Sequence, residues 1–289
     1  DFTHPFYPLY PLQIKLISPL FFSNFILTAL IISNISFLVL IFLFYSLVKK
    51  IKGEKVALWS AIFLILFPTS FYFVSVYTES LFLLLIILSF YVSNKNKNLL
   101  GSIFGMFASA TRLAGIFLLP AHLTRKNYIA AILVPVGLLA YVAFLKITYN
   151  QPFAFISAQT AFGQERSVNK LIFLPQVIYR WIKIIVTTSS EQLFISCLEL
   201  TALIFALSAI VYLYKKVPGS WLVFSIFAVI VPTLTGSLAS MPRYILVAFP
   251  IYIALAHIKS DKTKAMVLVI FAALSAILIT LFVQGYWVA

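Results

Sequence analysis

One cysteine, seven acidic residues and nine glycines are all that the 289-residue chain holds of those types, and charged residues make up only 10% of it. The lone thiol, Cys197, has no partner for an intrachain disulfide, which excludes a small disulfide-stapled secreted domain. So little charge also excludes an ordinary soluble domain, for which about 25% charged and about 45–50% apolar residues are typical. No P-loop, no glycine-rich dinucleotide turn, no HExxH and no nucleophile–histidine–acid order is present, so nucleotide-driven transport and soluble-type cofactor chemistry lack support. The opening "DFTHPFYPLYPL" has no charged n-region, apolar h-region or small-residue cleavage site, so no signal peptide is expected. Because it starts on Asp1 in mid-motif, the chain is expected to continue upstream.

What is there in abundance is apolar surface. Hydrophobic residues reach 63%, with 29 Phe and 15 Tyr, and the mean hydropathy is +1.07. A chain so rich in aromatics buries enough surface to order itself, and the expected class is an all-α, polytopic transmembrane bundle. Apolar runs fall at about 24–48, 56–74, 79–93, 128–148, 191–213, 219–236, 243–258 and 264–284. A ninth, 99–121, is interrupted by Thr111-Arg112. Counted at about 20 residues per span, this predicts about ten membrane segments in one domain over 1–289.

The formal charge of +14 resides largely in short clusters between the runs: Lys49/Lys50/Lys52/Lys55, Lys95/Lys97, Arg125/Lys126, Lys215/Lys216 and Lys259/Lys262/Lys264. Such clusters are topology signals, and no nucleic-acid partner is expected. If 99–122 is a short re-entrant pair turning at Arg112, all five fall on one side and hold 13 of the 21 Lys and Arg. Positive-inside bias then makes that side cytoplasmic. An arginine at an outer turn also avoids the cost of about 2.5–3.5 kcal/mol at mid-helix. The outer face is left with 1–23, 76–80, the Arg112 turn, 149–190 and 237–244, which contain most of the unusual polar residues. Within 149–190, Gln176, Arg180 and Lys183 share a helical face, with Phe173, Val177, Trp181 and Ile184 elsewhere, as in an interfacial amphipathic helix.

Few side chains can carry chemistry. Glu54 and Asp261 read as solvated partners of nearby lysines. Glu199, inside an apolar run, is a site candidate by default or an internally bonded structural glutamate. Glu79 opens an apolar helix directly after "SFYFVSVYT" and reads either as a first-turn cap or as a site carboxylate walled by aromatics. Arg112 and Arg243, at outer helix boundaries beside Gly115 and Pro242, suit a phosphate, because the guanidinium fork binds oxyanions bidentately. Headgroup snorkelling is the competing reading. His4, His122 and His257 follow no ligand spacing, so no cofactor is expected, and the sequence does not indicate a divalent metal.

The segments "HPFYPLYPLQIKL", "FPTSFYFVSVYTESLFLLL", "SATRLAGIFLLPA" and "MPRYILVAFPIYIALA", in this order, resemble the PIG-V-type mannosyltransferases of the GT-C class of polytopic glycosyltransferases. The likeness runs over essentially the whole chain. It implies inverting transfer of mannose or another hexose from a polyprenyl-phosphate donor, at the extracytoplasmic or lumenal face of the membrane, to a lipid, glycan or protein acceptor. It carries Tyr77, Thr78 and Glu79, then Arg112, then Pro242, Arg243 and Tyr244 onto motif positions. The implied roles are Glu79 and Asp1 as catalytic acids, Arg112, Arg243 and Tyr244 on the donor phosphate, and His4, Tyr7, Tyr10, Tyr77 and Thr78 on substrate. The family's key acid lies in a first outer loop after a first helix. Here that helix is absent, and Asp1 lacks the tryptophan-containing context that would equate it with that acid. A non-catalytic transporter or flippase of lipid-linked sugars is the alternative. It would show paired broken helices around a midplane site rather than polar residues gathered on one face.

Overall fold

The structure, a computed structural model, describes residues 6–95, 97–158, 170–189 and 191–286, without the side chains of Ala130 and Glu191. Among them it is all-helical. The chain opens with α1 (Leu9–Ile17), α2 (Phe25–Lys52), α3 (Glu54–Ile65), α4 (Phe71–Val74), α5 (Glu79–Ser93) and α6 (Asn98–Thr111). The middle holds α7 (Leu118–Leu123), α8 (Tyr128–Leu133), α9 (Val136–Tyr149), α10 (Ala154–Ser157) and α11 (Leu174–Thr187). It closes with α12 (Glu191–Tyr212), α13 (Gly219–Thr233), α14 (Met241–Tyr244), α15 (Pro250–Ala256) and α16 (Asp261–Val283).

Among the described residues, four helices are long and apolar enough to cross a membrane: Phe25–Lys52, Ala131–Tyr149, Gln192–Tyr212 and Asp261–Val283. The other apolar helices, Glu79–Ser93, Leu113–Leu123 and Gly219–Thr233, are shorter, so the ten segments counted from hydropathy reduce to four by this measure. Two physical causes account for the difference. Hydropathy does not distinguish lipid from protein as the apolar neighbour. Twelve of the 15 residues of α5 are buried inside the molecule, whereas of the 23 in α16 only Lys264 and Leu278 are. Prolines also divide the runs: Pro68 falls between α3 and α4, and Pro242 and Pro250 start the short helices α14 and α15.

The molecule has two polar ends. Helix α2, of 28 residues and so about 42 Å long, begins on an Asn24 cap that accepts from Leu27 N–H at 3.0 Å. Near this start, Ser33 Oγ donates to the carbonyl of Tyr77, just before α5. Farther down, Phe44 of α2 and Phe90 of α5 both pack on Phe249, so the two helices run in the same direction. At the far end Lys49 pairs with Glu54 at 3.0 Å, and Asp261 with Lys55 at 3.3 Å and Lys264 at 3.0 Å.

Helix α6 returns from that lysine-rich end. Its Gly101 carbonyl accepts from Ser89 Oγ of α5 at 2.7 Å, and Arg112, just past its last residue, reaches back to the first residue of α5. Arg112 is extended (φ −154°, ψ 150°), which ends the helix. The chain then doubles back through a 3-10 turn at Leu113–Phe117 and α7, until Ser89 Oγ meets His122 Nε2 at 2.9 Å and Asn127 Nδ2 donates to Asn98 Oδ1 at 3.0 Å. The segment 98–127 is thus a closed hairpin with Arg112 at its tip. Gly115 makes the fold-back possible, because a Cβ there would sit 2.4 Å from backbone atoms of Ala108 and Ser109. On the other side of α6, a Cβ at Gly137 would lie 2.0 Å from the Met106 carbonyl oxygen.

Candidate active site

Three charged residues far apart in the chain meet at the end of the bundle away from the paired lysines. Glu79 is the first residue of α5 and is fully buried. Arg112 Nη1 and Arg243 Nε both donate to its Oε1. The carboxylate therefore faces the arginines and not the free amides of its own helix, and Thr78 makes no side-chain cap either. Each guanidinium-bearing side chain keeps 18% exposure while the carboxylate keeps none. With one negative and two positive groups, the cluster carries a net charge of +1. Its open side is cationic. The second carboxylate oxygen, Oε2, is buried without a hydrogen-bond partner among the described residues.

Local structure fixes each arm. Arg112 sits where helical backbone gives way to extended, so its side chain leaves the hairpin tip toward α5. Arg243 lies in the single turn of α14, entered through Ser240 in the left-handed region (φ 72°) with Pro242 in the first turn. The Ser240 carbonyl accepts from the N–H of Arg243 at 3.0 Å and of Tyr244 at 2.9 Å, and the Pro242 carbonyl accepts from Thr69 Oγ1 at 2.9 Å. Aromatic rings complete the wall. The Arg243 guanidinium lies 4.6 Å from the Tyr77 ring centre and 5.2 Å from that of Tyr72, and Arg112 lies 5.7 Å from Phe82. Such cation–π contacts strengthen as water is excluded. Phe282 of α16 backs both tyrosines, at 5.5 Å from Tyr72 and 6.1 Å from Tyr77.

The remaining sequence candidates divide. Tyr77 and Thr78 border the cluster, half-buried, and Tyr244 is half-buried against the core. The Tyr10 hydroxyl is engaged with Ser33 Oγ at 2.7 Å and the Ala29 carbonyl at 3.0 Å, so it braces the Tyr77 turn through Ser33. Tyr7 belongs to a separate aromatic cluster, 5.1 Å from Tyr141 and 5.8 Å from Phe155. Burial pushes its hydroxyl pKa well up, and the hydroxyl has no partner among the described residues. Asp1 and His4 lie outside the described residues. Among those residues no three His, Cys, Asp or Glu side chains are grouped to hold a metal ion.

The sequence missed one side chain at the site and, for a Glu199 expected to be internally bonded, its partners. Tyr72 stacks on Arg243, and only its place five residues before Tyr77 hints at it. Glu199 of α12 turns out to be internally bonded directly behind the Arg243 turn, with Oε1 accepting from Ser240 N–H at 3.2 Å and Oε2 from Trp181 Nε1–H at 3.0 Å. Compared with family models, with curated proteins and with solved structures, the chain matches none of them.

Proposed function

We propose that the chain is a multi-pass membrane glycosyltransferase of the GT-C kind, moving a mannose or another hexose from a polyprenyl-phosphate donor to a lipid, glycan or protein acceptor at the extracytoplasmic face. The observation that carries this reading is the net-positive, half-open Glu79–Arg112–Arg243 cluster. Its three members stand in three of the four segments that resemble PIG-V-type mannosyltransferases. Two guanidiniums held side by side in a water-poor setting are matched to a phosphodiester and to the phosphomonoester that departs from it. Preorganised cations of this kind stabilise charge as it develops on the leaving group.

In the proposed step an acceptor hydroxyl oxygen bonds to the anomeric carbon from the face opposite the phosphate. The carbon–oxygen bond to phosphate breaks, and its electron pair leaves with the polyprenyl phosphate, held by Arg112 and Arg243. The hydroxyl proton passes to a carboxylate, a contribution of about 10²–10⁴-fold. Glu79 Oε1 is committed to the arginines, and Oε2, buried without a hydrogen-bond partner among the described residues, is the oxygen that an acceptor would reach only if the cluster opened to admit it. Asp1 is the other carboxylate of this reading. Half-buried Tyr77 offers its ring to the sugar, buried Tyr72 backs it, and no metal or cofactor is invoked.

The test is sugar transfer from radiolabelled polyprenyl-phosphate mannose in membranes that contain the full protein. Arg112→Ala and Arg243→Ala should each raise the donor KM and leave the acceptor KM in place. Lysine at either position should rescue only partly, because a point charge does not replace the fork. Wild-type transfer retained in both alanine variants would remove the phosphate role. A carrier of lipid-linked sugars would bind the same donor but form no glycosidic product.

A further inference from the structure

Glu199 is buried at 4% exposure in α12, and its two oxygens are divided between two elements that are otherwise far apart in sequence. One receives the indole N–H of Trp181, on the surface helix α11. The other receives the backbone N–H of Ser240, the left-handed residue whose carbonyl opens the turn bearing Arg243. A non-glycine residue at positive φ is held there by its surroundings, and the Glu199 carboxylate is one such hold. From α11 to the site the path is short and continuous: Trp181, Glu199, Ser240, Arg243, Glu79. The stretches that lead into these two elements also meet: ahead of α11, Ile172 N–H donates to the carbonyl of Leu234, just past α13, at 3.0 Å, and a Cβ on Gly236 would come 3.2 Å from Arg180 Nη1. Helix α11 buries Val177 and Trp181 and leaves Gln176, Tyr179, Ile182, Lys183 and Val186 exposed. This mixture of apolar and polar groups suits a lipid headgroup layer.

We propose that Glu199 is a positioning residue that sets Arg243 through Ser240 and, through Trp181, makes that setting depend on how α11 is seated on a lipid surface. This deepens the glycosyltransferase reading and rests on it for the reaction concerned. The chemistry gives a clean variant. Both partners of the carboxylate among the described residues are N–H donors, so Glu199→Gln, although isosteric, turns an NH2 toward one of them and breaks that bond. Trp181→Phe removes the indole donor and keeps the ring. Loss of one hydrogen bond to a charged group corresponds to about tenfold in an equilibrium.

The experiment has one readout that needs no activity. In the purified full protein, the rates at which phenylglyoxal modifies Arg243 and Arg112 are followed by mass spectrometry, alongside thermal unfolding. Glu199→Gln and Trp181→Phe should each speed modification of Arg243 by about tenfold, with Arg112 at the wild-type rate. Unchanged rates at Arg243 overturn the proposal. Equal acceleration at both arginines also overturns it, because that is general loosening. An effect of Glu199→Gln without one of Trp181→Phe overturns the link to α11. In transfer assays the same variants should raise the donor KM by a similar factor, with kcat and acceptor KM near wild type. Added to Arg243→Ala, Glu199→Gln should change the donor KM no further. Failure of the wild type to form glycosidic product would defeat the functional reading while leaving the modification result to judge the role of Glu199.

Discussion

The two polar ends of the bundle use the same chemical pairs under opposite conditions. At one, Lys49–Glu54 and Lys55–Asp261 stand in solvent, with side-chain exposures of 48% and 70% in the first pair and 71% and 57% in the second. At the other, one carboxylate with no exposure holds two guanidiniums at 18%. Exposed pairs gain little because water and salt screen them. A buried pair is not a strong source of net stability either, but it cannot be halved, since the partner left behind is a desolvated charge. The lysine-rich end therefore tolerates change at Lys49 and Lys55, and the arginine end does not. Charge is screened at one and fixes geometry at the other.

The comparison is broken most directly at Glu79. Glu79→Gln leaves two guanidiniums facing each other without a counter-charge, and the expected loss is about 3–5 kcal/mol, the range for removing one member of a buried pair. Thermal unfolding in detergent measures it. The double variant Glu79→Gln with Arg243→Gln should recover part of that loss. A single variant with wild-type stability would show that the cluster is solvated after all. This differs from the expectation for a helix cap, whose replacement costs about 1 kcal/mol.

Backbone packing offers a smaller contrast. Gly137→Ala drives a methyl into the Met106 carbonyl, two turns before Arg112, and should cost about 1–3 kcal/mol as overpacking does. Gly219→Ala, with nothing within 4 Å of the added carbon, should be neutral or slightly stabilising. Chemical denaturation of both variants checks the pair, and equal costs would contradict the close approach on α6.

The smallest effect belongs to Lys49→Ala, for which the melting temperature should stay within about one degree of wild type. Lys49 holds the Glu54 carboxyl below its ordinary value of 4.5. The sign follows from that depression. Whatever the pair contributes is present above about pH 4.5 and disappears as pH falls through the lower folded value. Acid titration of wild type and Lys49→Ala should therefore converge at low pH.

Much of this was legible in the sequence, and the limits have physical reasons. Apolar composition announced helices and no sheet. The charge placed at Thr111-Arg112 within a run announced a turn, and the structure has one there. Composition left unsaid which helices face protein: α5 and α16 are comparably apolar, yet one is enclosed and the other bare. At the site, residue types suggested Glu79, Arg112 and Arg243 separately, but no local pattern tells a carboxylate which arginine 33 or 164 residues away it will meet. Glu199 was visible as a costly residue in an apolar run. Its partners were not, because a tryptophan N–H and a backbone amide leave no charge signature.

The bareness of α16 has its own consequence. The apolar part of the helix, 265–283 after Asp261, Lys262 and Lys264, is about 28 Å long, close to the hydrocarbon thickness of about 30 Å in a typical bilayer. In the membrane reading proposed above, a helix with so few protein neighbours would answer a thinner bilayer by tilting. Its Phe282 end stands behind Tyr72 and Tyr77, the rings on which Arg243 rests. Membrane thickness would thereby become a mechanical input to the cluster: a thinner bilayer would lean the helix further and move the aromatic wall, with no change in any residue of the site.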